Sequence, residues 1–103
     1  MTVNADVAKQ IYDSIVDSST PLTLLEVVCK YVGIAPVKVY SKLSPDEIIV
    51  VKARMLEVKE CLRVMVSKSL LKIVSRETPP MEIHYMISTK KIEGWENATK
   101  WTV

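Results

Sequence analysis

The stretch that decides the fold is Ser44-Pro45-Asp46-Glu47 and the residues that follow it to Ser88. Its first four residues start a helix. Serine caps free backbone N–H groups, proline suits the first helical position, and Glu47, three residues after the cap, can close a capping box. Beyond them Ile48, Val51, Met55, Val58, Leu62 and Met65 recur at spacings of three and four, which puts them on one face of a helix. That face is expected to be buried. Lys52, Lys59 and Arg63 fall on one flank of the stripe, and Arg54 and Lys68 on the other.

The helical period then gives way to Leu70-Leu71-Lys72-Ile73-Val74-Ser75-Arg76, a break at Thr78-Pro79-Pro80, and Met81-Glu82-Ile83-His84-Tyr85-Met86-Ile87-Ser88. Met81, Ile83, Tyr85 and Ile87 alternate with more polar neighbours, as in a half-buried strand. The first run alternates less cleanly because Val74 interrupts it. Together the two runs predict a two-stranded hairpin.

Upstream, Asn4 can cap a first helix in which Val7, Ala8, Ile11, Tyr12, Ile15 and Val16 form the apolar stripe, ending near residues 17 to 19. Thr23-Leu24-Leu25-Glu26 is a second capping box, with Leu22 placed to staple against Val27. Val27, Val28, Tyr31 and Val32 give that helix its core face, and Gly33 suits the left-handed position that closes it. Between Gly33 and Ser44, Pro36 disfavours a helix through Ile34 and Ala35. Val37, Val39 and Leu43 fit either a short strand or a helical turn. In both cases Lys38, Tyr40 and Lys42 share an alternating side, as phosphate contacts or as a solvated loop.

With 103 residues, 49% apolar and 25% charged, the chain suits one globular domain. No apolar run reaches the ~18 residues of a membrane span, and Asn4, Asp6, Lys9 and Asp13 stand where a secretory signal needs an apolar block. An intracellular, cytoplasmic protein is expected. Cys29, Cys61 and the single His84 have no metal-ligand spacing. Two buried thiols are expected, with an intermolecular bridge open to a dimer. Residues 1–33 carry a net −2 and residues 77–103 a net −1, whereas residues 34–76 carry +5. The basic segment is thus the long helix and its neighbours, a plausible footprint for a polyanion.

Two helices with a short join, a third helix and a hairpin follow the order of a winged helix-turn-helix domain. Residues 23–34, Thr23-Leu24-Leu25-Glu26-Val27-Val28-Cys29-Lys30-Tyr31-Val32-Gly33-Ile34, resemble the second helix and turn of such domains. Residues 62–74, Leu62-Arg63-Val64-Met65-Val66-Ser67-Lys68-Ser69-Leu70-Leu71-Lys72-Ile73-Val74, resemble the end of a recognition helix running into the wing. Size and composition also resemble the small winged-helix regulators of archaea and their viruses.

The resemblance implies an α+β, mainly helical fold: a winged-helix domain over residues 1–89, with three helices and a β-hairpin wing, and a tail over 90–103. It implies a regulator of transcription that binds duplex DNA, nucleoid-associated or in the host cytoplasm if viral. Lys52 and Lys59 would lead the readers, with Arg63 on their flank and Arg54 on the other. Lys72 and Arg76 would form the wing contact, and Lys38, Tyr40 and Lys42 complete the candidate set. Two departures stand out. Ser69 occupies a position where the family has glycine, at a cost of about 1 kcal/mol if it is left-handed. Asp46 and Glu47 open the helix, where carboxylates repel DNA unless turned away or paired with Lys38 or Lys42.

Ile49, Ala53, Leu56 and Val64 lie away from the main stripe, and an apolar second face on an exposed helix usually meets another subunit or the tail. A homodimer using Ile49, Leu56, Trp95 and Trp101 is expected, both tryptophans lying in a tail too polar to bury itself. The competing reading is a winged helix for protein interaction or assembly, supported by the acidic helix start, the modest net charge and the tail. Catalysis is disfavoured: the only glycines are Gly33 and Gly94, and one histidine without a carboxylate cluster offers little acid–base chemistry. No cofactor, metal or small-molecule ligand is expected.

Overall fold

The computed structural model describes residues 2–16, 18–35, 43–76, 83–88 and 100–102. Strand β1 (Thr2–Asn4) leads into helix α1 (Ala5–Ile15), and strand β2 (Leu22–Thr23) into α2 (Leu24–Val32). The long helix α3 (Pro45–Ser67) precedes strands β3 (Leu71–Arg76) and β4 (Ile83–Ile87), and β5 (Lys100–Thr102) ends the chain. The fold is α+β and mostly helical among the described residues.

Each helix start is a side-chain cap. The Asn4 side-chain oxygen accepts from the Asp6 N–H at 2.8 Å and the Val7 N–H at 3.3 Å. Thr23 and Ser44 each close a full capping box, accepting from Glu26 N–H and Glu47 N–H while those carboxylates accept from the cap N–H groups. The closures of α2 and α3 are alike as well. Gly33, left-handed at φ 82°, donates to the Lys30 carbonyl while Ile34 donates to that of Cys29. Ser69, at φ 62°, donates to the Val66 carbonyl while Leu70 donates to that of Met65. Both are Schellman motifs, and the left-handed residue at α3 is a serine.

The core lies between the three described helices and the sheet, with Ala8, Ile11 and Ile15 of α1, Val27 and Val28 of α2, and Val51, Val58, Leu62 and Met65 of α3 all buried. Cys29 and Cys61 are buried free thiols within it. Two residues depart from the predicted faces of α3. Ile48 is exposed (39%) because α3 meets the core only from Val51 onward, and its first turn stands clear. Val64, expected to face outward, is sealed (1%): over its last two turns α3 is enclosed on several sides, and Cys61, Leu62, Val64 and Met65 are all buried. In α1, Val16 is exposed because the helix ends at Ile15.

The predicted hairpin is part of a larger sheet. β4 is its centre, pairing antiparallel with β3 on one side and with β2 on the other, through Leu22 opposite Tyr85 and Thr23 opposite His84. Thr23 thus ends a strand and caps a helix at once. Along β3 the register runs Leu71 to Ile87, Lys72 to Met86 and Ile73 to Tyr85, then resumes with Ser75 opposite His84 and Arg76 opposite Ile83. Val74, the residue that breaks the alternation, is the extra residue of a β-bulge. A second, two-stranded sheet joins the ends of the chain, with Thr2 opposite Thr102, Val3 opposite Trp101 and Asn4 opposite Lys100.

Candidate nucleic-acid interface

Lys52, Lys59 and Arg63 are exposed on α3. At 100° per residue they lie within a sector of about 40°, so one side of the helix carries all three. Their electrostatic states differ. Both Nε and Nη2 of Arg63 donate to Oε2 of Glu60, at 3.3 and 2.9 Å. Lys52 and Lys59 face no carboxylate among the described residues. Arg54, on another side of the helix, pairs with Glu57 at 3.4 Å. These i,i+3 pairs are solvent-exposed and worth little to stability, but each carboxylate offsets part of the charge its arginine offers a polyanion.

The acidic helix start is partly neutralised by its own geometry. Glu47 is half-buried and its Oε1 accepts the Ser44 N–H at 2.9 Å, so it is spent on the cap rather than presented outward. Asp46 remains exposed. Its charge complements the positive end of the helix dipole.

On the ribbon, Lys72 and Arg76 are both exposed. Four residues apart in a regular strand they would share a face. The bulge at Val74 changes that: Lys72 pairs with Met86, on the His84 side of the sheet, and Arg76 with Ile83, on the Tyr85 side. The guanidinium of Arg76 accordingly acts on Tyr85, where it opposes the upward shift that burial gives the phenol. The ribbon therefore carries one positive charge on each face. Between them Ile73 and Val74 are exposed apolar residues, and Ser75 Oγ lies 2.8 Å from His84 Nδ1 on the opposing strand. None of these four residues was among the site residues expected from sequence. The signal was present in Val74, whose break in the alternation marked the bulge.

No family model, curated protein or solved structure matches this chain. The chemistry of the described residues must stand alone.

Lys38, Tyr40, Lys42 and Trp95 lie outside the described residues. Trp101 is in β5, its backbone paired with Val3 of the same chain. Ile49 (65%) and Leu56 (70%) are the most exposed large apolar residues of α3, on the side that also bears Lys52 and Arg63. The thiols are not poised for nucleophilic chemistry. Burial, followed by the nearby Glu57 and Glu60, pushes Cys61 up to about 11, and burial with Glu47 and Glu26 raises Cys29. Both stay protonated near neutrality. Among the described residues no group of three His, Cys, Asp or Glu could hold a metal ion, and no helix is long and apolar enough to cross a membrane.

Proposed function

We propose that this chain is a winged-helix regulator that grips duplex DNA between the exposed basic row of α3 and the β3–β4 ribbon. One observation carries the reading: Lys52 and Lys59 stand exposed and without a carboxylate partner among the described residues, on the helix that runs directly into a ribbon bearing Lys72 and Arg76. Three helices with a small antiparallel sheet are compatible with the layout of such domains. Free ammonium groups on a helix and on an adjoining ribbon are what phosphate contacts need, since each neutralised phosphate releases counterions. Base reading would fall to side chains near Lys59 on the same face, and positioning to the ribbon.

A second reading, an interaction module without nucleic acid, draws on the pairing of Arg63 with Glu60 and Arg54 with Glu57 and on the exposed Asp46. Fluorescence anisotropy of a labelled random-sequence duplex, titrated with the full chain at rising salt, separates the two. The DNA reading expects binding at low ionic strength, and a loss of at least about tenfold in the Lys59→Glu/Lys72→Glu double variant with unchanged circular dichroism. Absence of binding at low ionic strength would sink it in favour of the interaction module.

A further inference from the structure

Lys52, Lys59 and Arg63 border a row that is not itself charged. Ile49, Ala53 and Leu56 follow one another along α3 at helical spacing, all exposed, on a helix of 23 residues whose opposite side supplies the core. At 100° per residue Leu56 and Ile49 lie about 20° and 40° beyond Arg63 around the axis. An aliphatic row of this kind marks a surface that a partner covers.

The border decides the class of partner. Lys52 and Lys59 face no carboxylate among the described residues, and Glu60, which lies beyond Leu56 and Ile49, is held by Arg63. An antiparallel second copy about a two-fold axis at Leu56 would set Lys52 against Lys59 of the other chain, like charge on like. A polyanion meets the same border with opposite charge. In its major groove a DNA duplex offers an aliphatic side chain one apolar group, the C5-methyl of thymine.

We propose that Ile49, Ala53 and Leu56 are specificity residues that pack on thymine methyl groups while Lys52 and Lys59 hold the neighbouring phosphates. The inference rests on the DNA reading above and deepens it by naming the bases that α3 prefers. Ile49 and Leu56 are seven residues apart, about 10 Å along the helix, so they reach different base pairs, which rise by about 3.4 Å each. A methyl group set against Leu or Ile takes apolar surface of both partners out of water. Cytosine has no methyl at that carbon and presents its N4 amino donor instead, which an aliphatic side chain leaves unsatisfied.

An A·T duplex offers thymine methyls in every register, so the test needs no known recognition sequence. Fluorescence anisotropy compares the full chain on a labelled, non-repeating A·T duplex and on the same duplex with deoxyuridine at every thymine position. The two duplexes differ in composition by the C5-methyl alone. The thymine duplex is expected to bind about fivefold or more tightly, the worth of one or two buried methyl groups. Ile49→Ser/Leu56→Ser should lose that preference and still bind both duplexes. Lys59→Glu should weaken both by the same factor and keep the ratio. A preference that came from duplex stiffness would survive in the Ile49→Ser/Leu56→Ser variant. Equal affinity of the wild type for both duplexes, or a preference that survives in that variant, would overturn the inference and leave the DNA reading standing. Binding to neither duplex would overturn both.

Discussion

Ser69 holds a left-handed backbone at φ 62° that an L side chain adopts only at a cost, because Cβ crowds the following carbonyl. It is held there by what flanks it: the Schellman hydrogen bonds from Ser69 and Leu70, and the burial of Leu70 and Met65. Ser69→Gly removes the Cβ and leaves those contacts in place, so stability should rise by about 1 kcal/mol in a urea melt. A neutral or negative change would show that the strain is relieved in some other way. Gly33 makes the same turn without the penalty, and Gly33→Ala should lose a similar amount, although a Cβ there meets nothing within 4 Å. Conformation alone is tested. Cys61 offers a pH signature at the same scale. Its thiol ionises near 9 in the unfolded chain and at about 11 in the folded one, chiefly through burial. The unfolded state therefore loses the proton first as pH rises. Its contribution to stability is intact below about pH 9 and falls away toward pH 11, by up to about 3 kcal/mol. Unfolding free energies measured across that window should decline more steeply in the wild type than in Cys61→Val, and equal slopes would refute the assignment.

Helix α3 is anchored unevenly along its length. From Val51 it is held by the core, whereas residues 48–50 are exposed and depend on the cap. Ser44→Ala removes the side-chain half of the capping box, which in general costs about 1 kcal/mol. Here the loss should be local: amide exchange at residues 48–50 should accelerate, while amides from Val58 onward, sealed in the core, keep their protection. Uniform acceleration along the helix would mean that the first turn is coupled to the core after all. The same contrast explains what could be read from the sequence. The caps at Asn4, Thr23 and Ser44 and the closure at Gly33 were legible because they depend on residues within three or four positions. Val74 was legible as an irregularity, though not as the residue that parts Lys72 from Arg76. β2 was not legible because two residues carry no period. The β1–β5 pair escaped because it joins opposite ends of the chain and rests on backbone groups that every residue has. Ile48 and Val64 were misplaced for one reason: the helical period gives a direction around the axis, but how far along it the core extends is set by packing. Of the candidate site, the shared face of Lys52, Lys59 and Arg63 followed from spacing. The capture of Arg63 by Glu60 needed side-chain coordinates.

At the scale of the whole molecule, attraction to a polyanion depends on where charge accumulates. A net of +2 is too small to draw the chain to a polyanion by itself, but +5 is concentrated between residues 34 and 76, and the two other segments are acidic. Any attraction should therefore be local and directional. Its strength can be read as a number of phosphates. If Arg63 stays with Glu60, the chain brings Lys52, Lys59, Lys72 and Arg76 to the backbone. Each neutralised phosphate adds about −0.9 to the slope of log K against log salt on duplex DNA. The chain should then show a slope of roughly −4. Lys72→Glu, altered at an exposed position, should make the slope shallower by about one while retaining the far-ultraviolet spectrum, because one contact is lost. A slope unchanged in that variant would take the ribbon out of the contact and leave the helix in it. A slope near zero in the wild type would remove the phosphates altogether.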